Sequence, residues 1–203
     1  MTDGLSPHLD VETRAWARKS GVLRMLRRFV DDRRGIGAVE FAIVAPLLII
    51  AYIGAFEVSV AVTMSRKVNR ASSTVSDLLT QSQSTSAVTL DTMKDVTKTV
   101  IAPFPQTDFT LKITGIAIAS DGKATVAWSR DQASGKPYAT GSSVTLPATI
   151  EAKSTFIVRT ELVVPHEVML MLPSFAQSLN KINLSKTSYF RQRTGEMITC
   201  ADC

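Results

Sequence analysis

The sequence predicts an α+β fold in which one long N-terminal helix precedes a small antiparallel β-sheet. Residues 41–56 contain no charged side chain, which indicates a helix in apolar surroundings. Apolar residues then recur at helical spacing to about Thr80. From Phe109 onward the pattern changes to alternation of apolar and polar residues, which is typical of strands with one buried face.

The uncharged stretch is long enough to cross a lipid bilayer as one helix. A helix rises about 1.5 Å per residue, so residues 36–56 span about 30 Å, the thickness of the hydrocarbon core. A helix suits this path because it satisfies its backbone hydrogen bonds within the segment. The apolar run is longer than that of a secretory signal peptide, and it lacks an Ala-x-Ala cleavage site before Met64. We therefore expect a transmembrane helix over residues 36–65.

The distribution of charge predicts how this helix is oriented. The chain has a formal net charge of +5, and residues 1–35 carry eight Lys and Arg side chains. Three more, Arg66, Lys67 and Arg70, follow closely after the span. The positive-inside rule then places the N-terminus in the cytoplasm and the C-terminal domain across the membrane. Aromatic residues are few and lie largely outside the basic cluster, so we expect the lipid bilayer as a partner and no nucleic acid.

A glutamate, Glu40, lies near the start of the apolar helix. A carboxylate at the centre of a membrane helix costs about 2.5–3.5 kcal/mol, and less near an interface, so it usually has a partner. In an intact chain, Arg33 or Arg34 can reach this carboxylate at the cytoplasmic surface. In a chain cut between Gly35 and Ile36, the new α-amino group, from the same chain or a neighbour, can pair with it instead.

The sixteen residues from Arg33 to Leu48 resemble the processing site of type IV prepilins. They read Arg-Arg-Gly-Ile-Gly-Ala-Val-Glu-Phe-Ala-Ile-Val-Ala-Pro-Leu-Leu. In that site a glycine is followed by four apolar or small residues and then by Glu-Phe. This version is most similar to TadE-like proteins of the tight-adherence (Tad/Flp) pilus machinery, which are pseudopilins or minor pilin-like assembly components.

The resemblance implies a function, a set of partners and a location. A prepilin peptidase would cut between Gly35 and Ile36 and leave residues 1–35 as a basic cytoplasmic leader. Glu40 and Phe41 would set the register of associating helices. The remaining partners would be other pilin-like and Tad assembly proteins. The mature chain would be anchored in the bacterial inner membrane, with residues 66–203 as a type IV pilin-like head in the periplasm. The chain is too long for the major Flp subunit.

Within the head, a second helix is expected over residues 90–101. Thr89 or Asp91 is expected to cap its start, and Pro103 and Pro105 to end it. Strands are expected over residues 109–119, 124–130, 155–164 and 182–193, arranged as a meander in which each strand pairs with the next. Residues 168–179 are apolar and are expected to form either a short broken helix or an exposed patch.

Glu57 and His166 are two further ionisable residues that could form a functional site. Glu57 is expected at the far membrane interface, where it can meet Arg66 or Lys67. His166 has no second histidine nearby in sequence, and we expect it to be a surface or strand-end residue. No nucleophile elbow, phosphate-binding loop or His-Glu-x-x-His motif is present, so we expect no enzyme activity and no cofactor.

Cys200 and Cys203 are the two cysteines of the chain and form a Cys-x-x-Cys motif at its end. A thioredoxin-type redox site needs this motif at a helix N-terminus within a βαβ unit. A zinc site needs about four ligands, and we find no metal site in the sequence. A small disulfide is therefore preferred, and an intermolecular bond to a partner is the alternative.

A second functional hypothesis belongs to a different class of protein. If the leader is retained, the chain would be a single-pass, membrane-anchored periplasmic adaptor. Its head would then bind other proteins of an envelope or secretion complex. The N-terminus of the protein extracted from membranes separates the two hypotheses.

Overall fold

A computed structural model of the chain describes Arg28 and residues 35–104, 107–150, 153–167 and 181–203. The chain divides into two compact units, residues 1–52 and residues 53–203. The expected apolar helix or patch at residues 168–179 lies outside the described residues.

Helix α1 (Ile36–Thr80) is 45 residues long and continues through Pro46. Its most apolar 18-residue window has a mean hydropathy of 2.3 and no buried residue, so the helix is long and apolar enough to cross a membrane. In the second unit α1 acquires a buried face. This face begins at Glu57 and continues with Met64, Val68, Ala71, Ser72, Val75, Ser76, Leu79 and Thr80. From Met64 onward these residues form two neighbouring rows with steps of three or four, Met64–Val68–Ala71–Val75–Leu79 and Ser72–Ser76–Thr80, which lie on one side of the helix.

A two-residue strand, β1 (Ser84–Thr85), leads into helix α2 (Ala87–Ile101). Ser86 is the N-cap, and its Oγ accepts a hydrogen bond from the backbone N–H of Thr89 at 3.2 Å. The predicted caps, Thr89 and Asp91, were wrong, because the helix begins earlier and Thr89 supplies the donor to the cap. The end of α2 at Ile101 agrees with the helix-stopping prolines that follow it.

Four antiparallel strands form the main sheet, and their limits agree with the predicted ones to within a few residues. They are β2 (Thr110–Ile118), β3 (Ala124–Asp131), β4 (Thr155–Glu167) and β5 (Lys181–Arg191). The helix and sheet together make an α+β fold, as the sequence predicted.

The strand order is β3-β2-β4-β5, so the predicted meander was wrong at one step. β4 pairs with β2 and not with β3. The reason lies in residues 141–144, which run along the outer edge of β3. Val126 N–H donates to the Ser142 carbonyl and Val144 N–H donates to the Ala124 carbonyl, each at 2.9 Å. Because this edge is already hydrogen-bonded, β4 pairs with the other edge of β2.

The end of the chain folds back on the start of the head as a short strand that the sequence did not reveal. β6 (Thr199–Cys200) pairs in parallel with β1. The indole N–H of Trp128 donates to the Ile198 carbonyl at 2.8 Å, and Asp202 Oδ1 accepts from the backbone N–H of Ala87 at 2.9 Å. These contacts connect the C-terminal residues to β3 and to the start of α2.

The hydrophobic core of the head is formed by α1, α2 and the sheet. Its largest fully buried side chains include Phe156, Met64, Ile101, Leu111, Ile113 and Leu162. Gly115 on β2 leaves room for the rings of Trp128 and Phe156 to pack against this strand. A Cβ at this position would lie 2.4 Å from Trp128 Cε2 and 2.7 Å from Phe156 Cζ. A side chain is therefore excluded at position 115.

Candidate processing and assembly site

The residues of the expected processing site lie together at the start of α1. Gly35 directly precedes the first helical residue, Ile36, and both are exposed. A Cβ built on Gly35 would meet no atom within 4 Å. The described part of the chain therefore leaves open space around the Gly35 Cα, next to the expected cut.

Glu40 follows Ile36 by four residues in the same helix. Positions four apart on a helix are neighbours, about 5–6 Å between Cβ atoms, so the carboxylate and the backbone nitrogen of Ile36 lie on the same side. Glu40 is exposed and forms no ion pair with any residue that the structure describes. Arg33 and Arg34, its alternative partners, lie outside the described residues.

Phe41 belongs to a long exposed apolar surface on α1. Its side chain is 72% exposed, and large apolar residues continue to Phe56. They are Ile43, Val44, Leu47, Leu48, Ile49, Ile50, Tyr52 and Ile53. Apolar surface of this extent is not stable in water, so it indicates contact with lipid or with other apolar helices. One such helix supports single-pass membrane anchoring.

The head holds its part of α1 by buried hydroxyl groups that the sequence analysis did not single out. Ser72 Oγ lies 3.1 Å from the Thr160 carbonyl oxygen and 2.8 Å from Ser188 Oγ, so its single proton is shared between these two acceptors. One turn later, Ser76 Oγ donates to Thr160 Oγ1 at 2.8 Å. Thr160 and Ser188 are paired residues of β4 and β5. No sequence signal marked Ser72 and Ser76, because a serine on a buried face of a helix looks the same in sequence as one that meets water. We call these four residues the hydroxyl ladder.

Glu57 is almost completely buried in the head, with 7% of its surface exposed. The sequence placed it at a membrane interface near Arg66 or Lys67. Arg66 is exposed, and the Lys67 ammonium donates to the Ala102 carbonyl. His166, which was expected at a surface or strand end, lies one residue before the end of β4 but is buried, with 9% exposed. The expectation for His166 was right about the strand end and wrong about the surface.

Cys200 and Cys203 are joined by a disulfide in the structure, with their Cα atoms 5.6 Å apart. Both side chains are half-buried and pack against the main core. The disulfide closes the turn that carries Asp202 to the start of α2. No solvent-exposed redox pair at a helix N-terminus is formed by these cysteines, since Cys200 lies in β6.

Comparison with models of protein families gives a match. The model of the family described as TadE-like protein matches residues 35–77. No curated protein and no solved structure matches the chain. The matched range begins at the glycine of the expected processing site and ends one turn before the end of α1, so the likeness lies in this helix. Over residues 35–77, this chain is similar to the TadE-like family.

Proposed function

We propose that this protein is a minor pilin or pseudopilin that takes part in assembling a Tad/Flp type IV pilus. One observation carries the proposal. Within the segment that matches the TadE-like family, the residues from Gly35 to Phe41 coincide with the start of an exposed, membrane-length apolar helix. We propose a structural role for the head and no catalysis, because the family is a component of pilus assembly.

The first step would be hydrolysis of the Gly35–Ile36 peptide bond by a prepilin peptidase. Water adds OH to the Gly35 carbonyl carbon and H to the Ile36 nitrogen. Gly35 then ends in a carboxylate and Ile36 begins with an α-amino group. The leader, residues 1–35, leaves with its basic residues. The remaining chain then begins with the first residue of α1, so that its terminal ammonium lies at the end of a helix.

The second step would be lateral association of processed helices. A terminal ammonium lies unfavourably at the positive end of the helix dipole, and in lipid it lacks water. Glu40, one turn along the helix, can neutralise the ammonium of its own chain or of a neighbour. Because this pairing needs the two groups at the same depth, it would align neighbouring helices while their apolar faces pack.

The topology that suits this function has the N-terminus in the cytoplasm and the head in the periplasm, with α1 in the inner membrane. The charge of residues 1–35 supports this orientation. A periplasmic head also suits the Cys200–Cys203 disulfide, because disulfides persist in oxidising compartments.

Intact mass of the membrane-extracted protein tests the processing step. In cells that contain the cognate prepilin peptidase, we expect a chain that begins at Ile36, and in cells without it the full chain. Gly35→Leu should block processing, because the peptidase would have to accept a large side chain before the cut bond. Gly37→Ala is the matched control, since that glycine is also exposed in α1 and should leave processing unchanged.

A retained leader in cells with the active peptidase would contradict the proposal. The protein would then be the alternative, an uncleaved, single-pass adaptor that binds an envelope or secretion complex through its head.

A further inference from the structure

We propose that the head binds the headgroup of an ethanolamine phospholipid in a cavity next to α1. The head would thereby hold one lipid of the bilayer that its own helix crosses. This site is separate from the processing site and does not depend on cleavage at Gly35.

The cavity has a volume of about 510 Å³. Cavities of about 300–1,000 Å³ are the usual size for small-molecule sites. Its described lining residues come from α1, from the segment between α2 and β2, and from the hairpin end of β4 and β5. They are Phe56, Glu57, Val60, Phe104, Thr107, Asp108, Pro165, His166, Glu167 and Lys181.

Both signs of charge line this cavity. Glu57, Asp108 and Glu167 contribute carboxylates, and Lys181 contributes an ammonium. The Lys181 Nζ lies 4.0 Å from Glu167 Oε1, a distance that leaves both groups able to bind other partners. A ligand that complements this lining must carry an anion and a cation, and the excess of carboxylates favours a cation that donates hydrogen bonds.

The buried imidazole of His166 supports a ligand with a polar group. Its side chain lines the cavity, only 9% of the residue is exposed, and Nε2 has no hydrogen-bond partner in the structure. Burial of a polar atom without a hydrogen-bond partner is unfavourable. A phosphate oxygen or a headgroup amine bound in the cavity would supply that partner.

The position of the cavity along α1 favours lipid over a water-soluble ligand. Phe56 is the last residue of the uncharged stretch, about 30 Å along the helix from Ile36, and it therefore lies near the end of the hydrocarbon core. Its side chain is 54% exposed and also lines the cavity. One wall is therefore continuous with the lipid-facing surface of the helix, and Val60 and Phe104 extend it with apolar atoms.

Ethanolamine phospholipids match these features group by group. The primary ammonium has three N–H donors for the carboxylates of Asp108 and Glu167. The phosphate is an acceptor for Lys181 and His166, and an acyl chain can leave the cavity along Phe56. A choline headgroup has the same charges but no N–H donor, so its ammonium cannot make these hydrogen bonds.

Native mass spectrometry of the full chain tests the site. The protein is taken from nanodiscs of equal parts phosphatidylethanolamine and phosphatidylglycerol, and from matched nanodiscs in which phosphatidylcholine replaces phosphatidylethanolamine. We expect one retained ethanolamine lipid per chain and about tenfold less retention of choline lipid, the loss expected for one charge-assisted hydrogen bond.

Two variants remove charge from the cavity with little risk to folding. Asp108 has a left-handed backbone, φ 62°, which asparagine also adopts, so Asp108→Asn removes the charge and keeps the conformation. Lys181→Gln changes a half-exposed side chain. Each should lower retention of the ethanolamine lipid about tenfold. Asp121→Asn in the β2–β3 turn and Lys186→Gln on β5 are the matched controls and should retain it.

Three results would overturn the proposal. Equal retention of the two zwitterionic lipids would show that the headgroup amine is not recognised. Unchanged retention in both cavity variants would place the bound lipid elsewhere. Dimerisation that depends on Asp108, with no retained lipid, would show that the cavity receives a basic side chain of a second copy.

Discussion

The two helix serines of the hydroxyl ladder, Ser72 and Ser76, donate hydrogen bonds that an apolar residue at the same position could not make. Ser72 and Ser76 are fully buried on α1, and each donates a hydrogen bond to β4. Their small volume lets the helix approach the sheet closely, and their donors satisfy Thr160 inside the core. The ladder therefore fixes which turn of α1 lies over which pair of strand residues.

We predict that Ser76→Ala destabilises the head by about 1–3 kcal/mol, because Thr160 Oγ1 loses its buried hydrogen-bond donor. Urea unfolding of the full chain in detergent measures the change. Thr92→Ala removes a hydroxyl from the exposed side of α2 and should change the free energy of unfolding by less than about 0.5 kcal/mol.

The double variant Ser76→Ala, Thr160→Val checks the reason for this loss. If the two hydroxyls act as a pair, the double variant should lose clearly less stability than the sum of the single variants. Additive losses would mean that the hydroxyl ladder does not act through this hydrogen bond.

At this scale the processing site stays a prediction of the sequence, whereas the hydroxyl ladder was not predicted at all. The motif of this site can be recognised from sequence because its residues, Gly35, Glu40 and Phe41, lie at fixed offsets along one short segment. Ser72 and Ser76 depend on partners 84 and more residues away, Thr160 and Ser188. A serine on a helix reads the same whether it meets water or another hydroxyl, so its burial could not be inferred.

Between elements, α2 is joined to the sheet by one well-formed ion pair. The guanidinium of Arg130 on β3 donates to both oxygens of Asp91 on α2, at 2.8 and 2.7 Å. The two side chains are 13% and 29% exposed, so solvent screens the pair only in part. The hydrogen bonds from Arg130 lower the pKa of the Asp91 carboxyl, and Asp91 raises the pKa of Arg130.

We predict that Asp91→Asn lowers the thermal midpoint of the head at pH 7. Because the pKa of Asp91 is lower in the folded chain, its contribution to stability is present above about pH 4 and is lost as the pH falls through the folded value. Thermal unfolding of variant and parent across pH 2–7 should therefore show a difference that closes at the acidic end.

Asp95→Asn is the control for this prediction, since Asp95 pairs with Lys98 on the exposed side of the same helix. Exposed pairs contribute little, so this variant should follow the parent at every pH. A pH-independent loss in Asp91→Asn would mean that the variant disturbs packing and does not report the ion pair.

The positions of the strands in the sequence were more predictable than the pairing between them. Alternation predicted that β2 and β3 are neighbouring strands that pair with each other, and the structure has this hairpin. The pairing of β4 with β2 was missed, because alternation shows that a strand has a buried face and says nothing of which edge it joins. β1 and β6 are two residues each and carry no pattern to read.

For the whole molecule, Glu40 is the residue on which the assembly proposal depends. We predict that Glu40→Gln abolishes surface pili while the protein stays in the membrane, because the amide cannot neutralise the ammonium of Ile36. Electron microscopy of cells measures the pili, and membrane fractionation measures insertion. Glu196→Gln, an exposed change in the head, should leave both unchanged.

Normal pili from a chain with Glu40→Gln would contradict the alignment mechanism even if the leader is removed as proposed. The intact mass of the variant, measured in the same cells, keeps the two questions apart. An unprocessed variant would assign Glu40 to recognition by the peptidase.

The segment 141–144 along the outer edge of β3 has a consequence for crowded assemblies. Uncovered strand edges present unpaired N–H and C=O groups, and these recruit strands from other molecules into mixed sheets. Here the Val126 N–H donates to the Ser142 carbonyl, and the Ala124 carbonyl accepts from the Val144 N–H, so this part of the edge is already paired within the chain. Copies that meet along this side can thus touch without adding strands to each other's sheets.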